Sequence, residues 1–208
     1  MIPRLLARPW AAIAAALVLP ATRADAHSFG AGTDTFEAFV EGFNAVLFSP
    51  FSLLPCLSLG LLLTLWHLEG MVKAWPYLIA SHVVGFGIAP AVGTWVIPAL
   101  VGAGCVTGAV AAVLPHPSRP VALALNTTVG LLTMLVSLEG HQWFELSLPI
   151  YLGIFAAASF AVAAGAGVAR LVIERVPHPW VRIAIRIAAS WLAAMQMLMI
   201  AFLIAPST

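Results

Sequence analysis

Residues 148–172 read LPIYLGIFAAASFAVAAGAGVARLV, and no charge interrupts them before Arg170. An α-helix rising ~1.5 Å per residue crosses the roughly 30 Å hydrocarbon core of a bilayer in about 20 apolar residues. The stretch is therefore long enough to span. From Ala156 to Gly167 its side chains are almost all small, which makes it a close-packing surface. In lipid, helix association depends on such close approach and on interhelical hydrogen bonds.

The same signature recurs outward in both directions. Apolar runs cover 43–66, 75–95, 97–114 and 121–138 before it and 180–204 after it. The turn Pro115-His116-Pro117-Ser118-Arg119-Pro120 separates the third run from the fourth, whereas Gly93 to Pro98 leaves hardly any loop between the second and third. The expected fold is all-α: a polytopic membrane helix bundle with six transmembrane helices in one domain, 27–208, and no soluble domain. Composition agrees. Of 208 residues, 62% are hydrophobic and 8% charged, against about 25% charged in a soluble domain. A net charge of +1 gives nucleic acid nothing to hold. A soluble enzyme, a nucleic-acid binder and a disordered tail are excluded together.

The first 26 residues read as a cleavable signal peptide. Arg4 and Arg8 precede the apolar run Trp10 to Pro20, and small residues end in Ala24-Asp25-Ala26, an A-x-A cleavage pattern. Cleavage leaves His27 as the mature N-terminus on the outer face. With that orientation Lys73, Arg119, Arg170, Arg175, Arg182 and Arg186 fall at inner loops, with Glu69 and Glu174. Asp34, Glu37, Glu41, Glu139 and Glu145 fall outside without a Lys or Arg. This is the positive-inside pattern. The implied location is a bacterial inner membrane, multi-pass, with both mature termini on the outer side. Trp66, Trp75, Trp95, Trp143 and Trp180 stand at span ends, where an aromatic belt belongs.

Candidate chemistry is sparse. Glu139, His141 and Glu145 share the outer loop after the fourth span; Glu37 and Glu41 precede the first, spaced to share a helix face. With His27 they form an imidazole–carboxylate set suited to nickel, cobalt, copper or zinc. Within the spans lie Asn44, His82, Asn126, Thr127, Thr128 and Gln196. Intramembrane polar groups are costly and often functional, and His82 reads either as a pathway ligand or as a histidine bonded to a neighbouring helix. Cys56 and Cys105 both fall inside spans, which argues against a disulfide and leaves either thiol open to a soft metal. Gly104 and Gly108, and Gly85 and Gly87, read as packing devices.

The first span contains Phe48-Ser49-Pro50-Phe51-Ser52-Leu53-Leu54-Pro55-Cys56-Leu57-Ser58-Leu59-Gly60. Prolines free backbone groups that survive at membrane depth only under protein or beside a watery cavity, and broken helices build many transporter sites. The first helix is thus expected to be broken by its prolines, as a re-entrant or a kinked element. Ser49, Pro50 and Pro55 are candidate path residues, with Asn44 and Asn126.

This layout resembles the HupE/UreJ family, small membrane proteins associated with hydrogenase and urease gene clusters. The likeness covers nearly the whole chain. Where that family carries H-P-x-x-G-x-D-H, this chain has Ser49-Pro50-Phe51-Ser52-Leu53-Leu54-Pro55-Cys56. Only the proline is kept; Ser49 and Cys56 replace histidines and Pro55 replaces the aspartate. The family's later H-G-H-x-H-G…E patch is similar to Glu139-Gly140-His141-Gln142-Trp143…Glu145. The resemblance implies movement or handling of nickel or cobalt, with copper for a softer Cys56 site, and no tightly bound cofactor. The competing expectation is a non-transporting accessory or assembly subunit. Partners are the bilayer and either a second copy or a membrane complex. No enzyme is expected, since there is no G-x-S-x-G and no P-loop or dinucleotide fingerprint. Ser81 and His82, being adjacent, point to different helix faces.

Overall fold

Asp34 opens the first helix: its carboxylate accepts the Phe36 N–H at 3.1 Å, satisfying one of the donors a helix start leaves unpaired. The computed structural model describes residues 34–205, so the expected signal peptide, 1–26, and His27 lie outside the described residues. The helices are α1 (Thr35–Leu47), α2 (Pro50–Trp66), α3 (Gly70–Ile88), α4 (Val96–Val113), α5 (Arg119–Ser137), α6 (Leu148–Arg175) and α7 (Trp180–Ile204), with one 3-10 turn, Ala89–Ala91. No strand occurs among the described residues.

The expected break in the first span is present and sharp. α1 and α2 meet at an angle of 71°. Ser49 is extended, with φ −87° and ψ 110°, because a residue before proline is pushed out of the helical region. Pro50 then takes the first helical position, where its missing N–H costs nothing. Pro55 departs from the expectation: it lies inside α2, which continues through it. Its ring lies against Gly104 of α4, where an added Cβ would come within 2.7 Å of the Pro55 Cβ. Tertiary packing therefore offsets the one hydrogen bond that the proline removes.

Four helices, α4 to α7, are long and apolar enough to cross a membrane, and the bent α1–α2 pair makes a fifth if it counts as one span. The second expected span, 75–95, differs most. α3 starts earlier, at Gly70, carries Lys73 and His82, and ends at Ile88 before Pro90. It falls short of that apolar standard. The link to α4 is correspondingly longer than the few residues expected.

α2 is the centre of the bundle. Leu62, Leu63, Thr64 and Leu65 are buried in succession, and four consecutive helical residues point all round the axis. Only a helix enclosed on every side buries them all. α6 fits against it where backbones nearly touch: a Cβ on Gly60 would strike the Val162 carbonyl at 2.5 Å, and one on Gly165 would sit 3.0 Å from the Leu57 carbonyl. The Thr64 hydroxyl bridges the pair, within 3.1 Å of both the Gly60 and Ala166 carbonyl oxygens. α1 lies along the start of α6 by the same device, through Gly42 against Ile150 and Gly153 against Phe39. Gly104, Gly108 and Gly85 are packing contacts as expected, whereas Gly87 and Gly167 have no neighbour within 4 Å. On α7, Arg186 donates to the carbonyls of Ala112 at 2.8 Å and Val113 at 3.1 Å. Those are final carbonyls of α4, which no helical N–H can reach.

Candidate functional site

α3, α5 and α6 surround a cleft of about 230 Å³ lined by His82, Val83, Phe86, Met134, Tyr151, Leu152 and Phe155. Val83 and Leu152 are exposed, so its mouth opens between α3 and α6 toward the surroundings of the bundle. His82 is 1% exposed, its ring meets Phe155 edge-on at 5.2 Å, and its Nδ1 is buried with no hydrogen-bond partner. An unpaired polar atom in such a place costs about 1–3 kcal/mol, and needs an explanation that packing alone does not supply. Ser81 turns the other way and donates to the Leu78 carbonyl at 2.7 Å, as its neighbouring position requires.

Helical spacing carries the line outward from His82. Phe86 and Ala89 follow at i+4 and i+7, and both border a second, water-sized notch of about 10 Å³. That notch is also lined by Pro90, Leu138, His141, Gln142, Trp143 and Tyr151. Phe86 and Tyr151 line both spaces, and their rings meet edge to face at 5.1 Å and 88°. This aromatic pair stands between the α5–α6 loop and the His82 cleft.

The α5–α6 loop brings only part of its expected set together. Gly140, at φ +81°, turns the chain after α5. His141 Nδ1 lies 3.1 Å from the backbone carbonyl of Glu139, not from its carboxylate. Glu145 is drawn into the loop itself, its Oε2 accepting the Gln142 N–H at 2.7 Å. Partial burial raises the Glu139 pKa above the ordinary carboxylate value, because desolvation disfavours the charged form. Among the described residues no three of His, Cys, Asp and Glu converge to hold a metal ion.

Cys56 is buried on α2, its Sγ 3.6 Å from Thr133 Oγ1. The Thr133 hydroxyl already donates to the Val129 carbonyl at 2.8 Å, so the thiol is the donor in the pair. Cys56 thus faces the residue next to Met134, the thioether of the His82 cleft. Both cysteines are free, as their places in the spans imply.

The path residues separate. Ser49 is buried at the break, and its carbonyl accepts the N–H groups of Ser52 at 3.1 Å and Leu53 at 2.9 Å. Asn44 is not in the bundle interior: it is exposed on α1, in the same open depression as Glu37 and Glu41, so those acids do share a face. Asn126 is fully buried and donates to the Ala74 carbonyl at 3.3 Å, joining α5 to α3 near the end opposite the outer loop. Phe86, Met134, Tyr151 and Phe155 are site residues that sequence reasoning missed. Comparison of the chain with protein-family models, curated proteins and solved structures finds no match.

Proposed function

We propose that the chain is a six-span membrane protein of HupE/UreJ type that moves or hands on a transition-metal ion, without enzymatic activity. In this reading α3 is the sixth crossing, made less apolar by Lys73 and His82, and the basic helix ends face the inner side. One observation carries the proposal. His82, whose Nδ1 is buried without a partner, lines through its carbon atoms a cleft that shares Phe86 and Tyr151 with the notch beside His141. The cargo enters at His141, passes the aromatic pair and meets His82 and Met134, whereas Cys56 faces Thr133, the neighbouring position on α5. Imidazole with thioether is a set that suits copper(I) better than nickel or cobalt. The carboxylates stay outside this line. The wall is otherwise apolar, so a hydrated divalent ion is disfavoured.

Uptake of copper, nickel and cobalt by cells expressing the full chain tests this. Copper uptake above that of cells with empty vector is expected, falling several-fold with His82→Ala and with His141→Ala. Met134→Leu keeps the volume and removes the sulfur, so it lowers copper uptake selectively. Uptake unchanged by the protein itself sinks the transport reading. The competing reading, an accessory subunit, is favoured by α7, whose buried residues are only Val181, Ile185, Ala189 and Gln196. Its Trp191 and Phe202 are 69% and 72% exposed, to lipid or to a partner helix.

A further inference from the structure

At the helix ends opposite the outer loop, α2, α3 and α5 enclose a recess of about 400 Å³ lined by Trp66, Lys73, Tyr77, Arg119 and Leu123. We infer that this recess binds the phosphate headgroup of an anionic phospholipid. Lys73 and Tyr77 are one turn apart on α3, and Arg119 and Leu123 one turn apart on α5, so each helix offers a cation at the rim and a less polar side chain further in. The Asn126–Ala74 hydrogen bond, adjacent to Lys73 on α3, holds these two helices together. The backbone positions that carry the two cations are thereby fixed relative to each other. Basic recesses between membrane helices are sites for acidic headgroups, and Trp and Tyr belong at that depth.

His67 stands beside the rim: its Nδ1 accepts the Glu69 N–H at 2.9 Å, and its Nε2 is 2.7 Å from Lys73 Nζ, a contact that positions the Lys73 side chain. Glu69, the acid of this loop, lies instead in the field of Arg170 on α6. The apolar walls of Trp66, Tyr77 and Leu123 give an acyl chain a place to lie, which favours a lipid over free phosphate. The inference rests on the membrane reading of the chain and is independent of the His82 cleft.

Native mass spectrometry of the full chain in detergent tests it, titrating phosphatidylglycerol, phosphatidylcholine with the same acyl chains, and glycerol 3-phosphate. Phosphatidylglycerol is expected to bind at least about ten-fold more tightly than phosphatidylcholine. Each cation near a membrane surface contributes roughly five-fold, so the pair Lys73→Gln and Arg119→Gln is expected to weaken binding about 25-fold. Arg175→Gln, a charge loss at the same end outside the recess, leaves it intact, as does Lys73→Arg. Equal binding of the two lipids overturns the inference. So does an Arg175→Gln loss as large as that of the pair, or glycerol 3-phosphate binding as well as the lipid. Lipid binding lost with metal uptake intact rejects nothing in the transport reading, and the converse leaves this site standing.

Discussion

The ring of Phe86 meets that of Tyr151 edge to face at 5.1 Å, and the two spaces they border lead to different histidines, His141 in the loop after α5 and His82 within the bundle. The Tyr151 hydroxyl also accepts the Leu146 N–H at 3.4 Å, tying the ring to the loop that carries His141. Movement of that loop and separation of the rings are therefore linked through one side chain.

Phe86→Ala removes one ring and joins the notch to the cleft. The expected outcome is faster modification of His82 by an imidazole-selective reagent, measured with His141 replaced so that one signal is followed. A Phe-to-Ala change in packed surroundings also costs about 3–5 kcal/mol, so a lower thermal midpoint is expected. Tyr151→Phe keeps the ring and should slow neither folding nor modification, while freeing the loop.

Two glycines of similar sequence setting should respond oppositely to alanine. Gly60→Ala drives a methyl into the backbone of α6, where no rotamer change relieves it, and a loss of about 1–3 kcal/mol or more is expected. Gly167→Ala meets nothing within 4 Å and should gain about 0.5–1 kcal/mol from helix propensity. Thermal unfolding in detergent, followed by size-exclusion chromatography, reads both.

Arg186→Gln removes the donors to Ala112 and Val113. A loss of about 1–3 kcal/mol is expected, and Arg186→Lys should recover only part of it, because one ammonium does not reproduce the planar fork. The same thermal measurement decides this.

Glu139 has a pKa raised by burial, so the folded state holds its proton to higher pH than the unfolded state does. Stability contributed by this group is present below the ordinary carboxylate pKa and is lost as pH rises through the raised value. Glu139→Gln should flatten that fall in the thermal midpoint and leave the protein slightly more stable at neutral pH. An unchanged pH profile would refute it.

Local physics explains what could be read in advance. The lengths of α4 to α7 follow from apolar runs bounded by charge and proline, and the bend follows from Ser49 preceding Pro50. The tolerance of Pro55 inside α2 is not legible locally, because it depends on Gly104, far away in sequence. Hydropathy averages a run and does not tell which side of α1 is covered, so the exposure of Asn44 is not legible either. The His82 site was half legible: a histidine in a span drew attention, but nothing in sequence pairs it with Phe155, Tyr151 or Met134. Loop contacts are equally illegible in sequence: the Glu145 carboxylate accepts the Gln142 N–H.

The 71° bend has a dimensional consequence. α2, with 17 residues, rises only about 26 Å, less than the roughly 30 Å of hydrocarbon. α2 therefore stands at the short end of the lengths that cross a bilayer, and at Ser49 the chain turns aside into α1 instead of extending it.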